Sequence, residues 1–560
     1  MRRDLARLTA ERYDAIVVGG GIHGACAAWE AALRGLKVAL IEARDFGHAT
    51  SSNSLRTLHG GLRHLQRLDV ARMRESIRER RQWLRLAPHC ASPMRFVLPT
   101  TGHAVRGPTF MRAALWINDL VGLDRNRGVR PDRWLPRGSV WSRAQLQSSF
   151  AGVPLTGSNG AAAWYDAICL NTERLQIAVV AAAVAAGAHA ANYVRAVRLV
   201  VDGGQVCGLD VRDELTGREL ELRARFVINA AGPWVDEWLR ELSRPPRAPM
   251  FHASKAFNLL TRPLLFRDAL GLSVASRRRS ITSGGRPQTY FIVPWHGYSL
   301  VGTRHLRCDH SVRSVRISRE EVLEFLVDLN GFLGEHRLAG TDVAGVFAGL
   351  LPEEADNVGP EVALQRASRV IDHSAEGVSG LLSIVGVKWT TARAAAERAV
   401  GLVCKQLSKS TRSPTVRGIP SIAPAPAAGH DAWERPDLDP RVLIQLEESY
   451  GPARDSVLAL MREDATLTAR VVPDLPVVMG QVLQAARAEM AMRLSDVIRR
   501  RTPLYLSAAL DRSALSACAG VMARELRWSR REIGAQIEEA EADLEMFRGP
   551  LAADLRHVAA

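Results

Sequence analysis

Gly19, Gly21 and Gly24 stand at the Gly-x-Gly-x-x-Gly spacing that cradles phosphates, and Glu42 follows as a carboxylate 18 residues after the last of them. Gly19 permits a tight turn, Gly21 lets backbone N–H groups approach a pyrophosphate, and Gly24 allows close helix–strand packing. Glu42 lies where an acid accepts the ribose hydroxyls of an adenosine, and it argues against a 2′-phosphate. Thr50, Ser51 and Ser52 add hydroxyl and N–H donors suited to a pyrophosphate or a ring edge. His59 is a candidate base or cofactor contact, because an imidazole titrates near working pH. Arg63 and Lys388 are cations suited to a phosphate or an alkoxide. Lys37, Lys255, Lys388, Lys405 and Lys409 are the only lysines, so a lysine at 388 is not this chain's default positive charge.

These residues need elements to hold them. A buried strand from Ala15 to Val18 runs into the glycines, an Ala-rich helix follows, and Val38–Ile41 reads as a second strand ending at Glu42. The same strand–turn–helix theme returns at Ala231-Gly232, and again at Gly386, where Thr390 and Thr391 open a helix. The N-terminus of that helix would aim partial positive charge at a bound ring. Three such points spread over the chain predict an α/β fold, with one Rossmann-like doubly wound domain built from non-contiguous pieces. Strands such as Thr289–Val293 and Ser299–Gly302 predict an inserted antiparallel β-sheet that forms a substrate domain. Residues 411–440 are Pro-rich and read as a linker, and residues 441–548 carry helical periodicity throughout. The fingerprint serves NAD and FAD alike; its place near the start of a long chain favours FAD.

Composition sets bounds. With 560 residues and 47% hydrophobic content the chain has room for about three domains. Seven scattered cysteines with no CxxC pair argue for a reducing compartment and against zinc or an iron–sulfur cluster. The charged segment Met1–Arg12 does not read as a secretory signal. Leu175–Ala191 is short and Ala-dominated, so it reads as a buried helix and not a membrane span. The net charge of +15 comes almost entirely from arginine. An arginine-biased proteome explains it without any function; an anionic membrane surface is the alternative, and no aromatic-interleaved basic ribbon points to nucleic acid.

In order along the chain stand Gly-Gly-Gly-Ile-His-Gly-Ala (19–25), Ala-Thr-Ser-Ser (49–52), His-Gly-Gly-Leu-Arg (59–63), Pro-Met-Arg-Phe-Val-Leu-Pro (93–99), Asn-Ala-Ala-Gly-Pro-Trp-Val (229–235), Val-Gly-Thr (301–303) and Lys-x-Thr-Thr (388–391). With Glu-Met-Ala-Met-Arg-Leu-Ser-Asp-Val-Ile-Arg-Arg-Arg-Thr (489–502), this set resembles the FAD-dependent glycerol-3-phosphate dehydrogenases of the D-amino-acid-oxidase-like superfamily. The resemblance implies bound FAD that takes a hydride from C2 of sn-glycerol 3-phosphate, giving dihydroxyacetone phosphate, with electrons passed to quinone or another acceptor. It implies cofactor contacts at Gly19, Gly21, Gly24, Glu42, Thr50, Ser51, Ser52, Ala231, Gly232, Gly386, Thr390 and Thr391. A lone histidine is usually structural and an arginine at a helix start is usually surface; the family motifs are what single out His59, Arg63 and Lys388. The resemblance also implies an oxidoreductase region over 13–410, with FAD-binding pieces 13–105, 161–249 and 340–410 and substrate-domain pieces 106–160 and 250–339. A helical cap domain would cover 441–548. A cytoplasmic protein at the inner face of the membrane, and a homodimer, are compatible with it.

The departures from the family pattern are specific. His64 stands where the family has Tyr, and Thr303-Arg304-His305 replaces Thr-Thr-Asp. In the run Ala348-Gly349-Leu350-Leu351-Pro352, Leu351 stands where a substrate-site arginine is expected. Losing a guanidinium from an anion site removes a charge-assisted bond of ~1.5–3 kcal/mol. Arg304 and His305 are therefore expected to restore positive charge to the pocket; the alternative is a different polar hydroxy or amino substrate.

Overall fold

The structure is a computed structural model. It describes all residues except 238, 240–249, 265–266, 275–287, 309–314, 355–361, 410–437 and 550–560, so nearly all of the Pro-rich linker at 411–440 lies outside the described residues. The chain forms two compact units, each assembled from separate stretches: 1–52, 171–250 and 367–544 make the first, and 53–170, 251–366 and 545–560 make the second.

The first unit is built on a mixed sheet in the order Arg369–Asp372, Leu381–Val385, Glu219–Asn229, Arg12–Val18, Val38–Ile41, His189–Ala191. Arg12–Val18 pairs in parallel with Glu219–Asn229 and with Val38–Ile41. Leu381–Val385 adds in parallel to Glu219–Asn229. The three strand–turn–helix points read from sequence therefore sit at the ends of three adjacent parallel strands. Val38–Ile41 and Leu381–Val385 are buried along their whole length, as expected for strands of a parallel sheet covered on both faces.

Residues 219–229 change from an alternating to a continuously apolar pattern, yet they form a single strand, Glu219–Asn229. Its first half pairs antiparallel with Gln205–Asp213, with one face in solvent. Its second half enters the buried parallel sheet, which explains the change of pattern. The Ala-rich stretch 175–191 is helical only to Ala185: the helix Thr172–Ala185 packs its Leu175, Ile177, Val179 and Val180 inside, and His189–Ala191 forms a strand. Among the described residues no helix is long and apolar enough to cross a membrane.

Helices at Pro440–Tyr450, Arg454–Glu463 and Met479–Ala488 close around an apolar core of Val442, Leu446, Val457, Leu458, Met461 and Val478, and the helix Arg512–Leu526 packs against Met479–Ala488. Helical periodicity reads throughout 441–548, but the helix Met479–Ala488 ends at Ala488, Met490 takes a positive φ of 54°, and a π turn spans Val497–Arg501. These helices belong to the same compact unit as the parallel sheet.

The second unit carries a nine-stranded, largely antiparallel sheet, with the central path Val343–Glu353, His252–Thr261, Tyr298–Arg307, Gln288–Trp295, Ala269–Val274, Ala91–Thr101, Ser158–Cys169 and Thr57–Leu58. Residues 53–105, 161–170 and 340–366 were expected among the cofactor-binding pieces. They fall in this unit because Ala91–Thr101 pairs with Ser158–Cys169, and Val343–Glu353 with His252–Thr261, in its sheet. The helix Arg319–Leu333 covers one face of the sheet through Phe325, Leu326 and Leu329, which share a buried core with Phe257, Leu259 and Val301.

Candidate active site

In the first unit the glycines are required by their surroundings. Gly19 has φ +102°, and a Cβ there would lie 2.5 Å from the Ala230 carbonyl oxygen. A Cβ on Gly24 would lie 1.8 Å from the Gly19 oxygen, so helix and strand touch at that point. At Gly21 a Cβ would meet only Ser51 Oγ, at 3.2 Å, and would fill the space in front of the helix Ile22–Leu33. That space is what a pyrophosphate needs, and the residues around it fit one.

Glu42, buried, accepts from the Gly20 N–H at 2.6 Å and from the Arg44 N–H at 2.9 Å. Burial raises its pKa, and these two backbone donors act in the opposite direction. Ser51 Oγ accepts from the Ile22 N–H at 3.0 Å, at the helix N-terminus, and Ser52 donates to the Gly47 carbonyl at 2.6 Å. Thr50–Ser52 form a short 3-10 turn.

Ala231 leads into the turn Gly232–Trp234, with Gly232 at φ +62°. Gly386 follows the strand Leu381–Val385, and Lys388 lies half-buried in the turn before the helix Ala392–Gln406. Thr390 and Thr391 are buried, and Thr391 is the residue before the first helical turn.

Sequence reasoning passed over four residues here. Gly20, the middle glycine of the run, could not carry a Cβ: it would lie 2.5 Å from the Phe46 ring. The amide of Gln176 donates to the Gly20 carbonyl at 2.8 Å from the helix Thr172–Ala185. His48 stacks on Trp234 with ring centroids 5.9 Å apart, and its Nδ1 is 3.5 Å from Glu42. Burial first, then Arg500 and Arg44, lower the His48 pKa to about 3, so that approach joins a carboxylate to a neutral ring. His23, inside the fingerprint itself, is likewise held neutral, down to about 4, by burial and then by Arg398. The triple glycine and the histidine inside it were visible signals; Gln176, far along the chain, left none.

In the second unit His59 and Arg63 flank a sharp turn, with Gly61 at φ +80° before the 3-10 segment Leu62–Arg67. His59 Nδ1 lies 3.7 Å from Asp166 Oδ2. Asp166, in the strand Ser158–Cys169, accepts from the Gly60 N–H at 2.6 Å and from Trp164 Nε1 at 3.2 Å, and pairs with the buried Arg80. A Cβ on Gly60 would collide with Arg80 at 2.1 Å, so the glycine lets the guanidinium through. Burial pushes the Asp166 pKa up, but Arg80, His59 and the Gly60 N–H outweigh it and bring it to about 2. Asp166 was not foreseen, because 106 residues separate it from Gly60.

The strand Tyr298–Arg307 separates the two cations expected at 304 and 305. His305 pairs across with Ala256 and Arg304 with Phe257, so they face opposite sides of the sheet. Arg304 is a correction to the sequence reading. It is buried, donates to Asp328 at 2.6 Å, and lies over Phe325 at 5.6 Å, on the side covered by the helix Arg319–Leu333. His305 lies on the other face with a buried Nδ1 that has no hydrogen-bond partner among the described residues. Burial and then the Arg63 charge lower its pKa to about 4, so it is a neutral ring. Ser254 pairs with both Arg307 and Leu351, which puts those two residues on the His305 face. Arg307, not Arg304, is a cation in the same cross-strand row as Leu351, with Ser254 between them, and it lies 3.5 Å from Glu353.

Comparisons with known proteins agree with this organisation. Residues 14–402 match the family model described as FAD dependent oxidoreductase, and residues 386–533 match the C-terminal domain of alpha-glycerophosphate oxidase. A glycerol-3-phosphate dehydrogenase of Synechocystis sp. is 31% identical over 96% of this chain and 97% of its own length. Glycerol-3-phosphate dehydrogenase 2 of Mycobacterium bovis is 29% identical over 96% and 89%. In fold, the crystal structure of the Bacillus halodurans glycerol-3-phosphate dehydrogenase complexed with FAD superposes with a TM-score of 0.73 at 24% identity, covering 98% of this chain and 97% of that one. The chain belongs to the FAD-dependent oxidoreductases, in the group of the glycerol-3-phosphate dehydrogenases.

Proposed function

We propose that this protein oxidises sn-glycerol 3-phosphate to dihydroxyacetone phosphate. The observation that carries this reading is the 31% identity to a glycerol-3-phosphate dehydrogenase over nearly the whole of both chains. The Gly19–Gly24 cradle, with Glu42 behind it, supports FAD as the cofactor. Bound FAD supplies the acceptor for the hydride that leaves C2.

The protein's own residues divide the remaining work. His59, backed by the Asp166 carboxylate, takes the proton from the C2 hydroxyl. Arg63 binds the phosphate, and His305 contributes a neutral hydrogen-bonding ring beside it. Lys388 steadies the developing negative charge on the substrate oxygen. Gly19, Gly21 and Gly24, Glu42, Thr50, Ser51, Ser52, Ala231, Gly232, Gly386, Thr390 and Thr391 are assigned to the cofactor. The oxidoreductase region 13–410, followed by the helical region 441–548, belongs to the same proposal.

Leu351 favours a second reading, a related polar hydroxy or amino substrate. It removes a cation from the His305 face, and Arg304 does not replace it. Arg307 in the same cross-strand row favours the phosphate. Anaerobic addition of sn-glycerol 3-phosphate decides between them: bleaching of the oxidised flavin band at about 450 nm supports the first reading. A spectrum that bleaches only with dithionite supports the second.

The electron acceptor we propose is quinone or another carrier at the inner face of the cytoplasmic membrane. The helix Pro108–Val121 supports a membrane partner. Its outward side carries Trp116 and Leu120, and Leu123 follows just beyond its end, with Trp116 and Leu123 66% and 73% exposed. Eight arginines against three acidic residues occupy 101–143, an arrangement suited to anionic lipid. Trp116→Ser combined with Leu120→Ser should abolish co-sedimentation with phosphatidylglycerol vesicles; unchanged binding would exclude this face. Homodimer formation is part of the same reading, and light scattering of the purified protein tests it.

A further inference from the structure

The loop between Ile41 and Thr50 forms one wall of the dinucleotide cradle. Phe46 packs where Gly20 lacks a side chain, the Gly47 N–H donates to the Gly20 carbonyl at 3.0 Å, and Ser51 reaches the first N–H of the fingerprint helix. In the middle of this loop lies Asp45, fully buried. A buried carboxylate is costly unless cations meet it. The cations that meet it come from the far end of the sequence.

Arg501 makes a two-pronged contact, Nη1 to Oδ2 at 2.6 Å and Nη2 to Oδ1 at 2.8 Å. Arg500 Nε donates to the same Oδ2 at 2.5 Å. Consecutive residues of an α-helix point about 100° apart, yet these two converge on one carboxylate. They do so on the π turn Val497–Arg501, a wider local coil of the kind that recurs at functional sites. The turn is itself anchored: Arg500 donates to Asp496 at 2.7 Å, Tyr193 donates to the same Asp496 oxygen at 2.7 Å, and Arg501 also holds the Glu489 carbonyl at 2.9 Å. The side chain of Asn192 bridges the two partners, donating to Asp45 at 3.1 Å and to the Met490 carbonyl at 2.7 Å.

Nothing in packing alone requires this. The helical segment already has an apolar core of its own and a second buried ion pair to the rest of the unit, Arg174 with Glu489 at 2.7 and 2.8 Å. The Asp45 cluster differs because its acidic member sits on the cofactor loop, one residue before Phe46.

We infer that Arg500 and Arg501 are positioning residues for FAD: through Asp45 they hold the 42–52 loop in its binding-competent shape, so the C-terminal helical segment governs how tightly the cofactor is retained. This rests on the FAD reading of the cradle. A loop that is ordered in advance spares the cofactor the cost of ordering it, and tethers of this kind therefore act on affinity.

The test is the FAD dissociation constant of full-length apo-protein, read from quenching of flavin fluorescence on titration. Arg501→Lys keeps the charge but loses the two-pronged geometry, and Asp45→Asn removes the charge it answers. Each should raise the dissociation constant at least tenfold, and the two combined should be no worse than the more severe single variant. Leu446→Ala, in the apolar core of the helical segment, serves as the control matched for stability: it should lower the melting temperature while leaving FAD affinity within twofold. Arg500→Lys, at a partly exposed position, replaces Arg501→Lys if the latter does not fold by circular dichroism. The inference is overturned if the loop variants bind FAD within twofold of the unaltered protein, or if Leu446→Ala weakens FAD as much as they do. Failure of the unaltered protein to bind FAD would instead overturn the cofactor reading.

Discussion

The imidazole of His23 occupies the space a side chain at Gly386 would need: a Cβ there would lie 2.3 Å from the His23 Cε1. The contact joins the fingerprint helix to the turn that follows Leu381–Val385, two points far apart in the chain. Gly386→Ala should displace the ring and weaken FAD binding at least tenfold. The double variant His23→Ala/Gly386→Ala frees the space and should recover most of the affinity, which equilibrium titration of the two proteins would show.

His23 also sets a pH dependence. Its pKa in the folded protein is about 4, against about 6.5 for a free imidazole. A depressed value means that the folded state prefers the neutral ring. The contribution is complete above pH ~6.5 and is lost as pH falls toward ~4, on the order of 3 kcal/mol in all. Melting temperatures of the apo-protein measured from pH 7 to pH 4 should fall more steeply for the unaltered chain than for His23→Asn.

Asp166→Asn should act on both stability and turnover. It leaves Arg80 buried without its carboxylate, which costs ~3–5 kcal/mol for a broken buried pair. His59 also loses the carboxylate 3.7 Å away that holds its ring in place. Urea unfolding should show the first effect and a fall in kcat the second. Because the Asp166 pKa is depressed to about 2, its stabilising contribution is present above pH ~4 and lost as pH falls through 2.

Two arginines should separate cleanly. Arg63→Ala should raise KM for the anionic substrate by tenfold or more. Arg304→Ala should leave KM unchanged and lower the melting temperature, since its guanidinium is engaged by Asp328 under the helix Arg319–Leu333. A KM effect of Arg304→Ala would return that residue to the substrate site.

Lys388→Ala should keep the flavin spectrum while turnover falls by orders of magnitude. Lys388→Arg should recover part of it, because the charge is kept while its position shifts. Near-normal turnover of the alanine variant would remove Lys388 from the reaction.

What the sequence made legible was local. The glycine spacing, the acid at 42 and the three strand–turn–helix points all depend on neighbours within a few residues, and the sheet placed them on adjacent parallel strands. Asp166 behind His59, Gln176 on Gly20 and Arg501 on Asp45 are contacts between distant stretches, to which periodicity and spacing are blind. Arg304 went astray for a related reason. Its charge was readable, but strand alternation sends neighbouring side chains to opposite faces, and the residues waiting on its side, Phe325 and Asp328, belong to a helix that closes over the sheet.

The interleaving of the two units also has a consequence for biosynthesis. The strand Glu219–Asn229 is made long before its parallel neighbour Leu381–Val385, with the whole of 251–366 translated between them. At ~5–20 residues per second that gap is roughly 8–30 s, during which a hydrophobic strand leaves the ribosome with one side unpaired. An exposed edge of this kind recruits other strands, so yield of the soluble protein should depend on chaperones that shield the nascent chain until residue 385 has emerged.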